Sequence, residues 1–176
     1  MKQIFLVVFT GVLLFSSLLA QNKLFIPFGQ SADDVRQFLE TRDYVLDIQE
    51  HHDLLTMMVD VDEGKRVEYA FDAEGRHYAT TVTRTYADAR QSIKFRENSL
   101  EYMKMVSKNQ VERNSYGRIV CHTAVGSESI FKFFVISHGN TQTLQLTSIS
   151  RSIGPAQRSD LTRYEAKILS KGLANQ

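Results

Sequence analysis

The chain runs to 176 residues, with 21 basic and 20 acidic side chains, a formal net charge of +1, one cysteine and two prolines. So balanced a charge, with no basic run, excludes nucleic acid and anionic membrane as partners, and a lone cysteine excludes an internal disulfide. The length suits one domain with its own core, and the scarcity of proline argues against long linkers.

Met1 to Ala20 have the layout of a secretory signal peptide. Lys2 supplies the positive start, Ile4–Leu14 are apolar apart from Thr10 and Gly11, and small residues lead to cleavage after Ala20. The apolar stretch is at the short end of the spanning range, and no basic cluster follows it. The expectation is a domain over 21–176, periplasmic or secreted. No cysteine stands near the cleavage site to take a lipid, so no stable membrane anchor is expected after cleavage.

Ser31 and Asp33-Asp34 open a first helix, whose apolar stripe is Val35, Phe38 and Leu39. The pattern then turns to period two. Strands are predicted around Tyr44–Glu50, along Leu55, Met57, Val59 and Val61, and along Val67, Tyr69 and Phe71. Turns fall at His51-His52-Asp53 and Asp62–Lys65. Asp72–Gly75 is a hairpin loop in which Gly75 takes positive φ, and a fourth strand covers about Arg76 to Tyr86. Ala87–Lys108 reads as one long helix with Ala89, Ile93, Leu100, Met103 and Val106 inward and Arg90, Lys94, Glu97, Glu101 and Lys104 wet. A break at Asn114–Gly117 is followed by strands over Arg118–Val125, Ser129–Ser137 and Thr141–Ser150. Gly154-Pro155 ends the sheet, and Ser159–Ser170 forms a short last helix with Leu161, Tyr164, Ile168 and Leu169 inward.

Helices that precede runs of antiparallel strands predict an α+β fold: a sheet of seven or eight strands with two main helices on one face. An offset of 64 residues maps Leu55–Val61 onto Ile119–Val125, Val67–Phe71 onto Phe131–Val135, and Gly75 onto Gly139. Two readings follow: a duplicated α-β4 unit whose second copy has lost most of its first strand, or two unrelated helix-plus-meander units with one rhythm. The layout resembles the helix-plus-four-strand repeats of β-lactamase-inhibitor-protein-like folds. The signal end Leu18-Leu19-Ala20-Gln21 is similar to that of small exported Bacteroidota proteins of unknown function. These resemblances imply an exported α+β protein and transfer no site residue.

Chemistry is sparse. His51, His52, His77, His122 and His138 form no metal-ligand spacing, and Glu50–Asp53 is a turn whose side chains diverge. Gly126-Ser127-Glu128-Ser129 joins two strands and is not a nucleophile elbow; single, scattered glycines cannot cradle a nucleotide. No catalytic residue, metal ligand or cofactor is therefore assigned. Cys121 shares a strand face with Ile119, Thr123 and Val125 and reads as an inert buried thiol.

The candidate interaction face is a pair of polar rows. Thr81, Thr83 and Thr85 extend an outward series begun by His77 and Ala79. Thr143, Gln145 and Thr147 continue one begun by Thr141. Such a face suits a protein, peptide or glycan partner. Phe131, Phe133 and Phe134 put bulk on both faces of one strand, which the last helix is expected to cover. The leading expectation is an exported, non-catalytic binding or interaction module. A small envelope hydrolase and an accessory of an envelope assembly stand as alternatives.

Overall fold

The computed structural model describes Leu24, 26–51 and 54–152. The expected signal segment and C-terminal helix lie outside these residues. Helix α1 spans Ala32–Glu40, and strands β1 (Leu46–His51), β2 (Leu54–Asp62), β3 (Lys65–Phe71) and β4 (His77–Tyr86) follow. A 3-10 turn at Ala89–Ser92 leads into α2 (Ile93–Val106). Strands β5 (Val111–Tyr116), β6 (Ile119–Val125), β7 (Ser129–His138) and β8 (Thr141–Ser150) complete the order. All eight strands form one antiparallel sheet ordered β1-β2-β3-β4-β8-β7-β6-β5. The α+β class and the antiparallel sheet with two helices are as expected.

Local chemistry explains the helices. The Ser31 hydroxyl accepts from the Asp34 amide at 3.2 Å, and Asp33 and Asp34 sit at the positive end of α1. Val35 and Leu39 are buried, and Phe38 packs at the margin under the Arg42 guanidinium, 3.7 Å from its ring centre. The second helix departs from the expected continuous run. Asp88 accepts from the Arg90 amide at 2.8 Å and opens the tighter 3-10 turn. Three residues per turn there shift the phase of everything after it. Ile93 is consequently 41% exposed, whereas Ser99, Tyr102 and Met103 are buried. The five charged positions assigned to the wet side are exposed.

The fifth strand also differs from expectation. Val111–Tyr116 is polar and exposed beyond Val111, yet it pairs with β6 from Val111↔Ala124 to Tyr116↔Ile119. It is an edge strand, where charges are tolerated and discourage pairing with another chain. Gly117, at φ +58, helps close the tight turn.

The main core lies between the sheet and the helices: Met57, Val59, Tyr69, Phe71, Val82, Phe133, Leu144 and Leu146 meet Val35, Leu39 and Met103. A second cluster, Ile119, Cys121, Phe134 and Ile136, belongs to the opposite face. The residues matched by the 64-residue offset on β2 and β6 thus face opposite sides. Pairings from β1 to β4 shift register between Asp60 and Asp62 and between Ala70 and Phe71, whereas β5 through β8 pair without a shift. An odd slip in register inverts a strand's faces. The Ala70–Phe71 bulge also brings His77 opposite Phe71 and into the core, away from the outward row it was expected to begin.

Gly64 closes the β2–β3 turn at φ +76, and a Cβ there would stand 2.8 Å from the Thr85 carbonyl oxygen. The Thr85 amide donates to the Gly64 carbonyl at 2.8 Å, so the backbones cannot easily separate. Gly64→Ala is expected to lower stability by about 1–3 kcal/mol, read as a shifted urea midpoint at unchanged slope.

Candidate binding site

The six residues of the expected interaction face come together at the centre of the sheet. Thr81 pairs with Thr147, Thr83 with Gln145 and Thr85 with Thr143 across β4 and β8. Two rungs are joined by hydroxyl contacts, Thr81–Thr147 at 3.1 Å and Thr85–Thr143 at 3.3 Å. Thr81, Gln145 and Thr147 are buried, Thr83 and Thr143 are half-buried, and Thr85 is exposed. The ladder reaches water mainly at its Thr85–Thr143 end. Cys121 lies off this ladder on β6, and burial pushes its thiol up from the usual range, away from a reactive thiolate.

The other side of the same two strands holds a cleft of about 770 Å³. Its floor is the helix-side series of β4 and β8 where the chemistry changes. Val82, Leu144 and Leu146 are apolar, but the next positions are Thr80, Ser148 and Ser150, with Thr80 opposite Ser148. Small hydroxyl residues leave space between Tyr102 of α2 and the segment Ile26-Pro27-Phe28. Tyr102 and Phe131 meet edge to face at 5.2 Å and form an aromatic wall. Ser127, Glu128 and Arg151 make the rim. Arg151 donates through Nη1 to the Gly126 carbonyl at 2.7 Å, and its amide donates to the Glu128 carbonyl at 2.9 Å. The Ser148 hydroxyl bonds to no described residue and lines the cleft.

His77 fixes one wall. Its Nδ1 lies 3.1 Å from the Pro27 carbonyl, and Nε2 lies 2.9 Å from Thr80 Oγ1 and 3.1 Å from the Ala79 carbonyl. With Nδ1–H donating to Pro27, Nε2 accepts the Thr80 proton. The rings of Phe28, Tyr69 and Phe71 surround the imidazole at 5.2, 5.6 and 5.9 Å. Burial pushes its pKa down, opposed by the Pro27 and Ala79 carbonyls, which would both accept from a protonated ring, so the neutral ring is the native form. From the neighbouring strand β3, Tyr69 donates its hydroxyl to the Leu24 carbonyl at 2.8 Å. Burial also raises the Tyr102 pKa to about 12, which keeps that phenol protonated.

These contacts organise a wall rather than a reaction. Thr80 and His77 have the spacing of a nucleophile and base, but the imidazole is sealed from water and its second nitrogen faces a backbone carbonyl. Among the described residues no group of three His, Cys, Asp or Glu side chains converges to hold a metal. No described helix is long and apolar enough to cross a membrane. The cleft was not visible as a site in the sequence, where Thr80, Ser148 and Ser150 look like ordinary strand residues. The one available signal is the change from Leu144 and Leu146 to Ser148 and Ser150 within a single period-two series. No protein-family model, curated protein or solved structure matches the chain.

Proposed function

We propose that the chain is an exported, non-catalytic binding module whose ligand is a short neutral glycan held in the cleft on the helix side of the sheet. The observation that carries this reading is the hydroxyl floor of Thr80, Ser148 and Ser150 beneath the Tyr102–Phe131 wall. Hydroxyls both donate and accept, as a sugar's own hydroxyls do, and aromatic rings shelter the apolar faces of a pyranose. The volume is within the usual range of small-ligand pockets. The export reading rests on the Met1–Ala20 pattern. The Thr81–Thr147 ladder serves as the rigid seam between the two half-sheets, with the polar Thr85–Thr143 end as its accessible part.

The two halves also read as a duplicated α-β4 unit. Support comes from the mirror-like strand order and from the β4–β8 register: Val82 pairs with Leu146, its own match at the 64-residue offset.

The test uses chain 21–176 and a panel of neutral oligosaccharides, with ligand-observed NMR as readout. Saturable binding is expected, and Ser148→Val should weaken it about threefold to tenfold at unchanged thermal midpoint, the worth of one hydrogen bond. Wild-type affinity in Ser148→Val, or peptides binding where oligosaccharides do not, would overturn the ligand class. The hydrolase alternative draws only on the Thr80–His77 contact; product release from the same panel, abolished by Thr80→Val, would favour it.

A further inference from the structure

The helix-side face carries a cluster of cations at its β5–β6 edge. Arg113 pairs with His122, and His122 pairs with Phe133, so the three side chains stand in one cross-strand row. The His122 ring stacks on Phe133 at 6.3 Å between centres and 28° between planes. Phe95 of α2 approaches the same Phe133 ring at 6.4 Å, and Arg96 is the next residue of that helix. Arg96 and His122 are half-buried and Arg113 is exposed, so the cluster meets solvent along the sheet edge. None of these three cations lines the cleft.

No described carboxylate balances the cluster. Strand alternation sends Glu112 to the other face, and the helix-side neighbours on β5 and β6 are Val111, Ser115, Val120 and Ala124. Glu97 and Glu101 are exposed on the wet side of α2. Among the described residues Arg66 pairs with Asp60, and Arg76 with Asp72 and Glu74; neither Arg96 nor Arg113 forms an ion pair. Burial, then the charges of Arg113 and Arg96, hold the His122 pKa below the ordinary imidazole value. Like charges gathered without a counter-ion repel, and half-buried ones are screened least. We propose that this cluster is an oxyanion site, taking phosphate or sulfate, free or as the end group of a larger ligand. Guanidinium forks match the paired oxygens of such a group, and His122 supplies a third donor. Three cations at one edge make a point rather than a track, so a compact anion fits and a nucleic-acid backbone does not.

Sulfate is the first probe, because its charge is constant near neutral pH. The readout is proton NMR of the histidine rings in chain 21–176, with His122→Gln assigning the signal. Sulfate should shift the His122 signal saturably and raise its titration midpoint by about half a pH unit or more, a roughly threefold gain in affinity on protonation. Sodium chloride at matched ionic strength should give a smaller shift that does not saturate. Arg96→Gln and Arg113→Gln should each weaken sulfate binding about fivefold or more, and Lys94→Gln, on the wet side of α2, should not. Should Arg96→Gln fail to fold, Arg113→Gln alone decides, since it changes an exposed edge residue. Methyl phosphate binding more tightly than inorganic phosphate assigns an ester end group; equal or weaker binding assigns the free ion. A sulfate response no different from that of chloride overturns the proposal, as does one that survives in folded Arg113→Gln. No cleft residue is altered in any variant, so this proposal and the glycan reading fail separately.

Discussion

Phe133→Ala is expected to cost about 3–5 kcal/mol, a large part of the stability of a domain this size. Phe133 is fully buried on the helix side of β7, opposite Leu146, with Phe95 of α2 across from it at 6.4 Å between ring centres. Truncation removes the ring's transfer energy and leaves a cavity that two flanking strands and a helix cannot close. Chemical denaturation followed by circular dichroism measures the loss. A drop below about 1 kcal/mol would show that the core is not centred on β7.

His77→Ala carries the second large effect, about 3–4 kcal/mol, because it removes a packed ring and strands the Pro27 carbonyl and Thr80 hydroxyl. The same residue makes stability depend on pH. The folded-state pKa of His77 lies below its unfolded value, so the unfolded chain binds the proton more readily. The stabilisation is therefore fully present above the unfolded value of about 6.5 and is lost as pH falls from there through the folded value. His122 acts in the same direction, through burial and then the charges of Arg113 and Arg96. The urea midpoint should fall between pH 7.5 and pH 5, with a slope of at most about 1.4 kcal/mol per pH unit per histidine. His77→Gln, which cannot titrate, should flatten that slope in part, with His122 keeping the remainder. Identical pH profiles for wild type and His77→Gln would show that His77 is not the coupled group.

Much of the local structure was legible because short-range chemistry decides it. Ser31 with Asp33-Asp34 specifies a helix start in any context, and Gly75 is the residue for a positive-φ turn. The period-two runs through Val67–Phe71 and Thr141–Ser150 marked strands whose inner and outer faces are as read. Three features were decided elsewhere. The 3-10 turn before α2 rotated its buried stripe onto Ser99 and Tyr102. The bulge beside Phe71 turned His77 inward. The polar stretch Val111–Tyr116 became a strand because β6 offered an unpaired edge.

The candidate site shows the same division. The Thr81–Thr85 and Thr143–Thr147 rows could be read as strand faces from alternation alone. Their meeting as three cross-strand rungs depends on β4 lying beside β8, a pairing between strands 58 to 66 residues apart that no local signal encodes. The cleft depends still more on distant parts, since its floor comes from two strands, one wall from α2 and another from the chain before α1. Sequence by itself determined the charge balance, the absence of an internal disulfide, the α+β class and most element positions, since these follow from composition and from contacts a few residues long. Only the tertiary structure decided which strands adjoin, which way His77 points and where a cavity remains. Those are outcomes of packing, where a register shift of one residue exchanges the two faces of a strand.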